Sequence, residues 1–319
     1  MVEKSRFIGQ LNELYPFQLV WIDWGLLSYL LKLSSNNPSN YDLNTARANL
    51  KSICPLLTAK FGITNPKLIL GFQLLEAGKN ERKDILIELW KEFDYPIFLM
   101  PVQTGHRLSY IGWTLLEIFD RFFHFSNNSE IKPDIYKKFR QYELANGYYD
   151  KLQLPDNSVL VKENAKALGS ILVDTITQYR SIYNKSEFGK VYEIENKAYS
   201  VFFKELVSKF PETFGIIKKL KNISDSDFPK YIQEFLESEY YETLELPKIW
   251  SNIFSSWMVK TKELALTVSD RGDLMGLLEI GLFADVGFVD KRTLNTWQKR
   301  FNKDCTLTLF STGELSKFF

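Results

Sequence analysis

The chain has little of what usually marks a chemical site. Its 319 residues include two cysteines and two histidines. Cys54 and Cys305 carry no metal-ligand spacing, which excludes a cysteine-based zinc site and suits a reducing compartment. His106 and His124 fall in an aromatic-rich helical stretch and read as packed or half-exposed side chains, not catalytic ones. A long hydrophobic run is also missing. The most apolar stretch, "YPIFLMPVQTGHRLSYIGWTLLEIFDRFFHF", is broken by Pro101, His106, Arg107, Glu117, Asp120 and Arg121. That is far short of the roughly 18 to 20 apolar residues a membrane span needs. The opening "MVEKSRFIGQLNELYPFQ" has neither an apolar leader nor a small-residue cleavage site, so the expectation is a cytoplasmic protein without a membrane partner. Net charge is nearly absent: 40 basic against 39 acidic residues leave +1, so any nucleic-acid contact must come from a local patch.

What is present is an ordinary globular composition, 45% hydrophobic and 25% charged. The 25 Phe and 16 Tyr are more simply core than a base-stacking platform. The stretch "FQLVWIDWGLLSYLLKL" reads as a short strand, an acid and a helix, with Asp23 at the turn. "SSNNPSNYDLN" is a loop in which Asp42 or Asn44 caps the next helix, over residues 44 to about 60. "NPKLILGF" then reads as a second buried strand, followed by helix from Gln73, in which Ile85, Leu86, Leu89 and Trp90 share one face.

From residue 96 to about 265 the periodicity is helical, with boundaries expected at Pro211, Pro229 and Pro247. Strand signal returns only at the end. "RGDLMGLLEIGLFA" reads as a helix covered on both faces, "DVGFV" as a strand, "KRTLNTWQKRF" as a polar helix and "CTLTLF" as a last strand. The chain therefore reads as an α/β sheet assembled from its two ends, with a large helical body between.

On that reading Asp23 and Asp290 each end a strand. If those strands are parallel neighbours, both acids emerge at the carboxyl edge, where open α/β sheets bind ligands. Asp273 opens the helix leading to the Asp290 strand, and Glu76 follows the second strand. Clustered carboxylates raise one another's pKa unless a cation sits among them. Oxygen-only donors point to Mg²⁺ or Mn²⁺, the ions used for phosphodiester hydrolysis. Plain alternatives stand beside each assignment. Asp23 can be a helix cap. Glu76 can be a solvated helical acid, with Glu81, Asp84 and Glu88 as nearby substitutes. Asp270 and Asp273 compete for one helix-start position, and Asp285, at the opposite end of its strand, reads as structural or peripheral.

"LVWIDWGLLSYLL" and "GDLMGLLEIGLFADVGFVDKRTLNTWQKRF" resemble the opening and closing motifs of the PIN-like nuclease superfamily, whose final strand and short helix "CTLTLFSTGELSKF" is similar to. The resemblance implies a PIN-like parallel sheet flanked by helices, formed by residues 1–95 and 268–319, with 96–267 as a helical insertion or subdomain. It implies that Asp23, Glu76, Asp273 and Asp290, with Asp270 as an alternate, hold Mg²⁺ or Mn²⁺. It also implies cleavage of RNA or single-stranded nucleic acid to a 5′-phosphate product. Asp273 and Asp290 stand 17 residues apart, close to the usual separation in that family. Two departures are Trp24, where a small Thr or Ser commonly follows the first acid, and "VDKR", which lacks the Thr commonly found just before the last acid. Lys291, Arg292, Lys299 and Arg300 follow Asp290 and are placed for phosphate contacts, although exposed helical bases are common. The rival reading is a non-catalytic PIN-like or helical interaction protein, with Trp24 blocking the metal pocket. The helical region is available as a substrate channel, a homo-oligomer interface or a protein-docking surface.

Overall fold

The computed structural model describes residues 17–32, 41–77, 80–97, 211–242, 268–298 and 307–319, together with positions 121, 122, 125, 137, 141 and 244. Strand β1 is Gln18–Ile22, and its residues 19 to 22 are all buried. Such a run, apolar on both faces, is what a parallel sheet covered by helices on each side requires. It is flanked by β2 (Pro66–Ile69) and β3 (Val286–Val289), and β4 (Thr308–Ser311) completes the sheet. The order is β2-β1-β3-β4 with every pair parallel. The register of β1 on β3 sets Val20 against Val286 and Ile22 against Phe288. The expectation of a sheet built from the two chain ends is thus met.

Helix α1 (Trp24–Leu30) starts at once after β1, because Asp23 accepts a hydrogen bond from the Gly25 amide and caps it. Helix α2 (Leu43–Phe61) is capped by Asp42, not Asn44, and buries Ala46, Leu50, Ile53 and Leu57, spaced to share one face. It stops at Gly62, whose φ of 68° is left-handed and suits glycine at a helix end. The short helix α3 (Gln73–Glu76) and helix α4 (Asn80–Glu92) follow, with Leu86, Leu89 and Trp90 buried. Val20 and Ile22 of β1 join residues of α1, α2 and α4 in one core.

Three helices of the central region are described: α5 (Pro211–Leu220), α6 (Phe228–Leu236) and α7 (Glu239–Glu242). Pro229 lies in the first turn of α6, as its missing amide hydrogen favours, and the residue before Pro211 lies outside the described residues. Phe122, Phe214, Ile217, Phe235, Tyr241 and Leu244 form a second core there, with Phe122 and Phe235 stacked at 4.0 Å. The other parts of the helical body expected over 96–267, Pro247 included, lie outside the described residues.

Helix α8 (Val268–Leu282) covers the opposite face of the sheet. A β-carbon on Gly276 would lie 2.7 Å from the Trp21 ring, and one on Gly287 would lie 2.6 Å from Ile280 Cδ1. Two glycines therefore let α8 press directly on β1 and β3. Met275, Leu277, Leu278, Ile280 and Leu282 are all buried, so α8 is covered on both faces, as its sequence indicated. Helix α9 (Lys291–Gln298) leaves β3, and a short helix α10 (Thr312–Leu315) follows β4. No helix among the described residues is long and apolar enough to cross a membrane.

Candidate metal centre

The parallel pairing of β1 and β3 fixes the first two acids. Asp23 is the residue after β1, and its amide donates to the Phe288 carbonyl of β3 at 2.9 Å. Asp290 is the residue after β3, so both acids stand on the carboxyl edge of adjacent strands. Asp23 is half-buried; burial, and then the charge of Asp290, hold its carboxyl above the usual range despite the Gly25 hydrogen bond. Thr293, three residues beyond Asp290, holds its carboxylate from the start of α9. Its amide donates to Asp290 Oδ1 at 2.7 Å and its hydroxyl to Oδ2 at 3.3 Å.

Glu76 arrives from the other flank of β1. Buried Gln73 accepts from the Gly71 amide at 2.7 Å and donates to the Ile22 carbonyl at 3.0 Å. This amide ties the turn after β2 to the end of β1, one residue before Asp23, and so places α3. Glu76 is exposed to solvent on one side while protein atoms crowd around its carboxyl. Those surroundings, followed by the charges of Asp23, Asp273 and Glu279, push its pKa up to about 8. Its carboxyl also touches α8: a β-carbon on Gly272 would lie 2.7 Å from Glu76 Oε1.

Asp273 belongs to that same helix. Residues 268–282 are helical, so Asp270 and Asp273 both lie within α8, about one turn apart, and do not compete for a single starting position. Asp273 Oδ2 faces Arg292 Nη2 at 3.6 Å, with the Asp273 side chain 15% and the Arg292 side chain 52% exposed. Asp270's side chain, Glu81's side chain, Lys299, Arg300, His106 and His124 lie outside the described residues. Asp84 and Glu88, the substitutes considered for Glu76, are exposed on α4. Asp285 lies at the far end of β3, where its carboxylate accepts from the Leu19 amide at 2.8 Å and from Gln141 Nε2 at 2.9 Å. It staples β3 to β1, the structural role expected of it.

Two features of the site escaped the sequence reading. Glu279 of α8 is fully buried, accepts from Trp21 Nε1 at 2.9 Å and from the Phe72 amide at 2.7 Å, and lies within charge range of Glu76. Its signal was a single acid inside a helix apolar on all sides. Gly272 is the other, a helical glycine whose missing side chain leaves room for Glu76.

Compared with protein-family models, curated proteins and solved structures, the chain matches none.

The donor set is oxygen only, and two of its four acids have pKa values raised partly by their neighbours' charges. This chemistry fits a hard divalent cation, which relieves that repulsion. Among the described residues no three His, Cys, Asp or Glu side chains are already gathered as a cation site. Asp23, Asp290 and Asp273 are instead engaged by Gly25, Thr293 and Arg292 respectively.

Two glycine substitutions separate the site from the scaffold. Alanine at either position gains helix propensity of about 1 kcal/mol. At Gly272 the obstructing atom is the tip of a flexible carboxylate, so Gly272→Ala is expected to keep or raise thermal stability while displacing Glu76. At Gly276 the obstruction is the buried indole of Trp21, so Gly276→Ala is expected to cost about 1–3 kcal/mol by overpacking. Equal destabilisation of the two variants in denaturant melts would contradict this placement of Glu76.

Proposed function

We propose that the chain is a metal-dependent nuclease of PIN-like architecture that hydrolyses phosphodiester bonds in RNA or single-stranded nucleic acid. The observation that carries this reading is the electrostatic coupling of acids from four distant segments at one edge of a parallel sheet. Asp290 raises Asp23, and Asp23 and Asp273 raise Glu76. A cap by Asp23 on α1 and by Asp290 at the start of α9 accounts for each of these acids singly, and the proposed cation accounts for their gathering at one edge. Trp24 does not favour the non-catalytic alternative, because it packs against the core shared by α1 and α2.

In this reading Asp23, Glu76, Asp273 and Asp290 hold Mg²⁺ or Mn²⁺, with Asp270 as the alternate on α8. The bound cation lowers the pKa of a water and stabilises charge on the leaving oxygen. Thr293 holds the Asp290 carboxylate in one orientation, and Gln73 fixes α3, and with it Glu76, against the end of β1. Lys291 and Arg292, exposed at the start of α9, meet the substrate phosphates, and Lys299 and Arg300 extend that basic strip along the sequence.

The test is incubation of purified protein with end-labelled single-stranded RNA and DNA in Mn²⁺, Mg²⁺ or EDTA, beside Asp290→Asn. Cleavage that needs metal, leaves 5′-phosphate ends and falls at least about 100-fold in the variant supports the proposal. Equal cleavage by both proteins identifies a contaminant, and no cleavage of any strand in either metal counts against nuclease activity.

A further inference from the structure

Helix α5 is apolar on two faces. Its inner face carries Phe214 and Ile217 into the second core. Its outer face carries Ile216 and Leu220, which at 51% and 60% exposure are the two most exposed large hydrophobic side chains among the described residues. Glu212, Ile216 and Lys219 follow one another at the four- and three-residue steps that line up on one side of a helix, and all three are exposed. The exposed stripe therefore runs acid, apolar, base. Gly215 lies beside Ile216 in the middle of the helix, where glycine is the least favourable residue after proline. A β-carbon on Gly215 would meet nothing within 4 Å, so no close packing inside the chain calls for a glycine there.

We infer that this face is an interface between two copies of the chain, in which α5 packs antiparallel on α5 of the second copy about a twofold axis between Gly215 and Ile216. A twofold contact must be self-complementary, and antiparallel pairing about that point makes the stripe so. Position 215 of one copy then faces position 216 of the other, and 212 faces 219. Each Ile216 enters the space over the other copy's Gly215, which lets the two helix backbones approach. Glu212 of each copy meets Lys219 of the other, so opposite charges close both ends of the seam. Parallel pairing would instead set Glu212 against Glu212 and Lys219 against Lys219. The stripe carries one charge of each sign in symmetric places, which fits a second copy better than a uniformly acidic or basic partner. One pair of ten-residue helices buries less than the roughly 1,200 Å² of a standard interface, so the dimer is weak, with a Kd on the order of 10 to 100 µM. The pairing stands apart from the nuclease reading.

Sedimentation velocity of the full chain from about 1 to 300 µM reads the association. Wild type is expected to pass from monomer towards dimer across that range. Ile216→Asp changes an exposed side chain and should weaken the dimer at least about tenfold. Gly215→Ala should raise the melting temperature of the dilute protein through its helix propensity, yet weaken the dimer at least about threefold by filling the gap. Glu212→Lys makes both charges of the stripe basic, and Lys219→Glu makes both acidic. Each alone should weaken self-association, whereas an equimolar mixture of the two variants should recover the dimer, and the double variant, with its charges exchanged, should return close to wild type. A damaged fold or a different partner gives no such recovery. A wild-type chain that stays monomeric throughout the range overturns the pairing and leaves the face to another partner. A dimer that Ile216→Asp leaves intact forms elsewhere and overturns it too, and failure of both the mixture and the double variant to recover the dimer overturns the antiparallel arrangement.

Discussion

Asp23→Asn is expected to reduce metal-dependent cleavage by at least about 100-fold while leaving the melting temperature in EDTA unchanged or slightly higher. The two halves of this outcome have separate causes. Asp23 caps α1 through a side-chain oxygen that accepts from the Gly25 amide at 2.8 Å, and asparagine caps a helix as well as aspartate does. The Asp23 amide still donates to the Phe288 carbonyl, so the join between β1 and β3 is preserved. What is lost is the negative charge, and with it the repulsion that Asp23 exerts on Glu76 and shares with Asp290. The Glu76 carboxyl should then titrate at lower pH. Asp23→Ala is the contrasting variant: it loses the cap as well, at a cost of about 1 kcal/mol. Single-turnover cleavage and thermal melts of the two variants, with and without Mn²⁺, separate cap from ligand. Full activity in Asp23→Asn would sink the assignment of Asp23 as a metal ligand.

The sequence made the edge of the sheet legible and left its supports hidden. "QLVWI" and "VGFV" are apolar on both faces, which marks strands of a covered parallel sheet, and each is followed by an acid. Two strand-ending acids on parallel neighbours must share an edge, so Asp23 and Asp290 were readable as a pair once parallel pairing was assumed. Glu76 was harder. A Glu near the start of an amphipathic stretch is usually solvated, and only the Gln73 anchor and the space at Gly272 bring it to Asp23 and Asp273. Asp273 was placed on the correct helix but at its start, because Gly272 and the polar residues before it look like a boundary, whereas α8 runs back to Val268. Glu279 could not be assigned from periodicity, since its hydrogen-bond donors are 258 residues away at Trp21 and 207 residues away at Phe72. Pairings over such distances leave no trace in local pattern. The hold of Thr293 on Asp290 spans only one helical turn, but nothing in the sequence separates it from the other polar residues of α9.

Glu279 should make the fold pH-sensitive. Burial pushes its pKa from 4.5 up to about 8, against the hydrogen bonds from Phe72 and Trp21 that favour the charged form. The folded chain therefore keeps a proton that the unfolded chain gives up. Its contribution to stability is fully present below about pH 4.5, drains away as pH rises through about 8, and is constant above. Glu76 adds a change of the same sign. In EDTA, the Glu279 proton alone is expected to lower wild-type stability by on the order of 4 kcal/mol between pH 5 and pH 8.5. Glu279→Gln, which resembles the protonated acid in shape, should remove most of that slope and retain activity. Glu279→Ala behaves differently. It leaves the buried Trp21 Nε1 and the Phe72 amide without their acceptor and opens a cavity under the turn at Gly71. The expected cost is about 3 kcal/mol, roughly 6 to 12 °C in melting temperature. Because Phe72 precedes Gln73, the same substitution loosens the anchor of α3, so metal-dependent activity should fall with stability in Glu279→Ala and survive in Glu279→Gln. Thermal melts from pH 5 to pH 8.5 decide the first point, and cleavage assays well below the melting temperature decide the second. A wild-type slope that Glu279→Gln leaves unchanged would place the titrating proton elsewhere, with Glu76 the first residue to test.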